Sequence, residues 1–162
     1  MAIRNIMIEG KDDDVLRGHC REVGEVTDRI RMILDDMLET MRLHGGVGIA
    51  APQVGIRRRM FIIEPEPGEV TEFIDPVILE MSGTQTGEEG CLSSPGLVGT
   101  VDRPEYIKIE ATNRNGERFE MEGTGFLPVV ISHEYDHLDG ILYIDKAENI
   151  HEVEITEEAD EK

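Results

Sequence analysis

"GFLPVVISHEYDHLDG", residues 125–140, carries two histidines four apart, with a glutamate directly after the first. Its apolar residues recur at helical spacing, Pro128 is tolerated in a first turn, and Gly140 stands where a helix would stop, so the stretch is predicted to be helical. On a helix, residues i and i+4 share a face, and His133 and His137 can each aim one imidazole nitrogen at a single point. Glu134 then sits beside that point without having to ligate. Such a set suits metal-assisted hydrolysis, in which an ion lowers the pKa of a bound water and the adjacent carboxylate takes the proton. A surface helix that happens to carry histidines and acids is the plainer alternative. Two histidines also leave ligation incomplete, because a catalytic site of this kind needs a third protein ligand and an open position.

Upstream of this helix, "RMFIIE" (59–64), "EFIDPVILE" (72–80), "YIKIEATN" (106–113) and "ERFEME" (117–122) read as strands, the last two joined through a two-residue hairpin at Asn115 and Gly116. Before them, Ile30, Ile33, Leu34, Met37, Leu38 and Met41 recur at three- and four-residue steps from Thr27, and the segment closes at Gly45 and Gly46. The fold class expected is α+β: antiparallel β-sheets packed around a central helix that carries the HExxH motif, with an N-terminal amphipathic helix. A chain of 162 residues suits one domain, placed at 1–147. Residues 148–162 open with a short alternation and continue as an acidic tail, expected to be solvated.

The net charge of −19 argues against a sequence-independent grip on nucleic acid phosphates or on an anionic membrane surface. No apolar run reaches the roughly 18 residues a membrane span needs, and the N-terminus mixes charges too early for a signal peptide. A cytoplasmic location is therefore expected, where Cys20 and Cys91 would remain thiols.

Cys91 lies in "GEEGCLSSPG", a loop-like stretch with glycines on both sides where a thiolate can be presented, although a buried apolar cysteine is the alternative. Cys20 has no comparable setting and reads as structural. His19 and His151 lie near the ends of the chain, and His44 closes the first helix, where a cation suits the helix dipole. A third stretch, "GGVGIAAPQVG" (45–55), permits close backbone approach, and its Gln53 offers an amide donor for a developing oxyanion. The same residues also read as a helix stop followed by a turn and a core strand.

"GVGIAAPQ" (46–53), "EGCLS" (89–93) and "HEYDH" (133–137), in this order, resemble the three signature motifs of the peptide deformylases. The resemblance runs from "AIRNI" to about Ile144 and implies a cytoplasmic α+β hydrolase of protein biosynthesis. It would remove the formyl group from N-formylmethionine on newly made bacterial polypeptides and release formate. By the same resemblance, Cys91, His133 and His137 are the metal ligands, Glu134 is the general base and then acid, and Gln53 with the Leu92 amide holds the oxyanion. The ion in the family is Fe(II), which nickel, cobalt or zinc can replace. Gly48 keeps the backbone close to the substrate. Phe126, Val129 and Val130 share the metal-bearing helix face, and with Val47 they are expected to enclose the methionine side chain, a role compatible with core packing.

Asp75 departs from the family pattern, standing where asparagine is common before Pro76. Two other readings use the same residues: a general HExxH zinc peptidase, and an inactive, metal-stabilised binding module. The peptidase would usually recruit a downstream glutamate or histidine, and only His151 and solvated acids follow. The binding module would be expected to lack the base or the oxyanion amide, and Glu134 and Gln53 are both present. The expected partners are N-formylmethionyl nascent polypeptides, met near the ribosome by diffusion without direct nucleic acid binding, since the acidic C-terminal segment should be repelled by RNA.

Overall fold

The computed structural model describes residues 2–153. After one helical turn, α1 (Asp13–Leu16), the chain enters α2 (Asp28–Leu43), whose start is set by Thr27: extended in backbone, it accepts the Ile30 amide on its hydroxyl. The strands β1 (Gly48–Ala50), β2 (Met60–Ile63), β3 (Thr71–Ser82), β4 (Gln85–Glu89), β5 (Leu97–Arg103), β6 (Tyr106–Thr112) and β7 (Arg118–Thr124) follow. Then come α3 (Phe126–Leu138), a single 3-10 turn at Tyr143–Asp145, and β8 (Glu148–Glu152). All strand pairs are antiparallel and form two sheets, one in the order β1-β2-β3-β6-β7 and one in the order β4-β5-β8.

Strand periodicity explains how the two long helices are held. Met60 and Ile62 of β2 pack with Ile33, Leu34, Met37 and Met41 of α2, whereas Phe61 and Ile63 pack with Val130, Ile131 and Leu138 of α3. Successive strand side chains point to opposite faces, so α2 and α3 cover opposite sides of the larger sheet, and "MFII" is apolar throughout because both its faces are buried. Phe61 and Phe73 stack at 4.6 Å within the second core. α3 also touches β5 and so reaches the smaller sheet. None of the described helices is long and apolar enough to cross a membrane.

The end of α3 is fixed by its backbone turn, with Arg59 donating to the Leu138 carbonyl beside it. Gly140 has φ +77°, its amide donates to the His137 carbonyl, and the Ile141 amide donates to the Asp136 carbonyl, the pair of bonds that defines a Schellman stop. A Cβ on Gly140 would lie 2.2 Å from the Arg17 carbonyl oxygen, so the residue serves both the turn and the close passage of the N-terminal segment.

Two sequence expectations change in detail. The β6–β7 hairpin is not a two-residue turn: Asn113 and Glu117 pair across a loop of Arg114, Asn115 and Gly116. The Asn113 carboxamide oxygen accepts the Asn115 and Glu117 amides, and Gly116 takes the left-handed position at φ +81°. The alternation at the start of the C-terminal segment forms β8, paired with β5, so the chain remains attached to the smaller sheet as far as Glu152. The rest of the acidic tail, from residue 154, lies outside the described residues.

Candidate metal centre

The loop between β4 and β5 brings Cys91 against α3. One donor atom from each of Cys91, His133 and His137 lies within 4.8 Å of the others. Cys91 Sγ stands 3.5 Å from His137 Nε2, close to the ~3.6 Å edge expected when a sulfur at ~2.3 Å and a nitrogen at ~2.1 Å share one tetrahedral ion. The two imidazoles meet edge to face at 5.2 Å.

His133 Nδ1 faces Glu89 Oε1 at 2.8 Å, which leaves Nε2 for the site. Glu89 is itself clasped by Arg103, at 2.8 Å and 2.9 Å, and the same guanidinium reaches Asp136 at 2.9 Å. Arg103 is buried, and it ties the strand preceding Cys91 to the helix bearing both histidines. The Glu89 carboxyl sits at about 2: burial works to raise it, and the hydrogen bonds from His133 and Arg103 outweigh burial.

Glu134 is buried beside these donors, and its Oε1 has no hydrogen-bond partner among the described residues. Burial raises its carboxyl to about 7, against the pull of His133 and Arg103. Burial also works to lower His133, but its bonds to Cys91 and Glu89 and the charge of Glu134 carry it up to about 10. His137 is held well below its ordinary value by burial and by the neighbouring positive groups. A thiol and two imidazoles, with a carboxyl beside them, converge on one point, and this donor set and spacing fit a divalent cation.

Gln53 places its side-chain amide beside Cys91. Its Oε1 accepts the Ala50 amide at 2.9 Å, which fixes the flip, and Nε2 lies 3.4 Å from Cys91 Sγ and 3.2 Å from Ser93 Oγ. The Leu92 amide donates to no acceptor among the described residues, and the Leu92 side chain packs against the core beneath α2.

A Cβ on Gly48 would stand 2.5 Å from Glu134 Oε2, so the glycine makes room for the carboxylate. Of the residues assigned to a methionine pocket, Val47 and Phe126 are exposed and Val129 is half-buried, whereas Val130 belongs to the core between α3 and the larger sheet. Cys20 is buried, and both thiols are free.

Sequence reasoning overlooked Glu89, Arg103 and Asp136. The available signal was a glutamate two residues before the candidate ligand cysteine, in a segment read as loop and not as a strand that could aim it.

One thiol and two imidazoles converging beside a buried carboxylate on an HExxH helix make a site suited to metal-assisted hydrolysis in an α+β frame. The family model described as Polypeptide deformylase matches residues 4–153. Peptide deformylase 1 of Clostridium perfringens is 50% identical over 146 residues, covering 90% of this chain and 98% of the relative. The peptide deformylase of Lachnoclostridium phytofermentans is 47% identical over 165 residues, covering all of both chains. The crystal structure of peptide deformylase from Thermotoga maritima superposes with a TM-score of 0.87 at 38% identity, covering 91% of this chain and 99% of that one. The chain belongs to the polypeptide deformylase family.

Proposed function

We propose that this chain hydrolyses the formamide of N-formylmethionyl polypeptides in the cytoplasm, releasing formate and a free amino terminus, with Cys91, His133 and His137 holding one divalent ion. A bound ion supplies Lewis acidity and lowers the pKa of a coordinated water. The observation that carries the reading is Glu134, buried next to the three donors with Oε1 unpaired among the described residues.

The remaining work falls to the chain's own residues. Glu134 takes a proton from the attacking water and delivers it to the departing methionine nitrogen. Gln53 Nε2 and the Leu92 amide donate to the formyl oxygen as it gains negative charge; to do so, Gln53 must exchange one of its present contacts with Cys91 or Ser93. Arg103 and Glu89 keep His133 in one tautomer and one direction throughout. Val47, Phe126 and Val129 offer apolar surface for the methionine side chain, Val130 backs them from the core, and Gly48 keeps the strand edge low. The central helix α3 between two sheets is the scaffold that holds this set, and α2 supports it from the far side of the larger sheet.

Iron(II) is the ion proposed for the cell, on the family resemblance, with zinc, nickel or cobalt able to occupy the same donors. The test is formate release from formyl-Met-Ala-Ser by enzyme loaded anaerobically with each metal. The iron form should be active, and Glu134→Gln should retain stoichiometric metal while turnover falls by roughly 10² to 10⁴. Unchanged turnover in that variant would remove Glu134 from the chemistry, and a faster zinc form would overturn the iron assignment.

A further inference from the structure

Tyr143 takes no part in the chemistry above, yet it is one of the largest fully buried side chains in the protein and lies against a candidate ligand. Its ring faces the His133 imidazole at a centroid distance of 5.9 Å and an interplanar angle of 21°. That is an offset stack within the range where aromatic rings attract. Glu89 fixes one atom of His133, but a single hydrogen bond leaves the ring free to rock about the Nδ1···Oε1 line. A flat neighbour on one face, with His137 meeting the ring edge-on at 5.2 Å, removes that freedom.

The other end of Tyr143 is also tied down. Its hydroxyl donates to the Leu97 carbonyl at 3.0 Å. The same carbonyl lies beside Gly90, where a Cβ would come within 3.3 Å of it. Gly90 immediately precedes Cys91, so the hydroxyl bond anchors Tyr143 to the start of β5, which runs close behind the loop that presents the thiol. The turn carrying Tyr143 is held in place independently: the Leu142 amide donates to Asp145, and Arg17 pairs with Asp145.

We propose that Tyr143 is a positioning residue for the metal site: its ring sets the plane of the His133 imidazole, and its hydroxyl ties that ring to the backbone behind Cys91. One side chain thereby governs the separation of thiolate and imidazole. The proposal rests on the assignment of Cys91, His133 and His137 as ligands and goes beyond it.

The test compares Tyr143→Phe, which keeps the stack and loses the hydroxyl bond, with Tyr143→Leu, which loses both. Each protein is loaded with cobalt(II), and the thiolate charge-transfer and ligand-field bands are recorded together with the rate of cobalt release to a chelator. Release from Tyr143→Leu should be faster by about 10- to 100-fold, with shifted bands, the range seen when groups that orient metal ligands are removed. Tyr143→Phe should be intermediate in release and close to the parent in spectrum. On formyl-Met-Ala-Ser, kcat should fall in the same order while KM changes by less than about two-fold, because the tyrosine does not touch substrate.

Parental bands and release rate in a folded Tyr143→Leu protein would overturn the proposal and leave Tyr143 as core packing. Should Tyr143→Leu fail to fold, Tyr143→Phe decides: parental release and kcat would overturn the hydroxyl tie, and faster release at unchanged metal-free melting temperature would support it. The deformylase reading fails separately, by absence of formate release from the parent enzyme whatever the cobalt measurements show.

Discussion

Two cysteines of identical intrinsic chemistry are set apart by where their side chains end up. Cys20 is 1% exposed, and burial raises its thiol from 9.0 to about 11, with Arg59 opposing and Asp139 adding to the rise. Cys91 is half-buried on a glycine-flanked loop. At pH 8 only about one Cys20 thiol in a thousand is ionised, and the thiolate is the reactive form. Iodoacetamide should therefore label Cys91 in metal-free protein and spare Cys20, and metal loading should protect Cys91; peptide mass spectrometry showing Cys20 labelled first would contradict this. Linkage gives a second expectation. The folded state holds the Cys20 proton more tightly than the unfolded state, so this contribution is complete below pH 9 and is lost as pH rises through about 11. Two units correspond to roughly 2–3 kcal/mol. Urea midpoints measured between pH 8 and pH 11 should fall less steeply for Cys20→Ala than for the parent.

At the scale of elements, α3 stays in register with the loop of Cys91 because its end is determined so strictly. Gly140→Ala would force a side chain into the left-handed region and against the Arg17 carbonyl, at a cost of about 2–4 kcal/mol in thermal or urea unfolding. A loss below about 1 kcal/mol would mean that the Arg17 segment yields easily. Asp75 shows a related device within β3. At φ +49°, beside a register shift, it accepts the Val23 and Gly24 amides on its two carboxylate oxygens, bonds that the carboxamide common in the family could make with only one oxygen.

For the whole molecule, a formal charge of −19 means that self-repulsion acts on the compact state. Buried pairs such as Arg103 with Glu89 are screened little by salt, and exposed ion pairs contribute little to begin with. Raising sodium chloride from about 10 mM to about 200 mM, which shortens the screening length severalfold, should therefore raise the melting temperature. A fall would show that surface ion pairs outweigh net repulsion.

The sequence by itself determined what depends on near neighbours along the chain. The periodicity of α2, the i, i+4 pair His133 and His137 with Glu134 between them, and the glycine stop at Gly140 are consequences of backbone geometry within a few residues, and all are written locally. Only the tertiary structure decided the rest. β4 and β8 are polar segments with little intrinsic preference for extension, and pairing with β5 makes them strands. Residues 44 positions apart meet in the Glu89–His133 bond, and Arg103 joins a strand to a helix through two carboxylates that no periodicity relates. That Gly48 lies directly against Glu134 is likewise written nowhere near either residue in the chain. Tyr143 was one more aromatic residue until packing laid it against an imidazole. Such contacts arise from side chains brought together by two sheets, and long-range packing leaves no periodic trace in one chain.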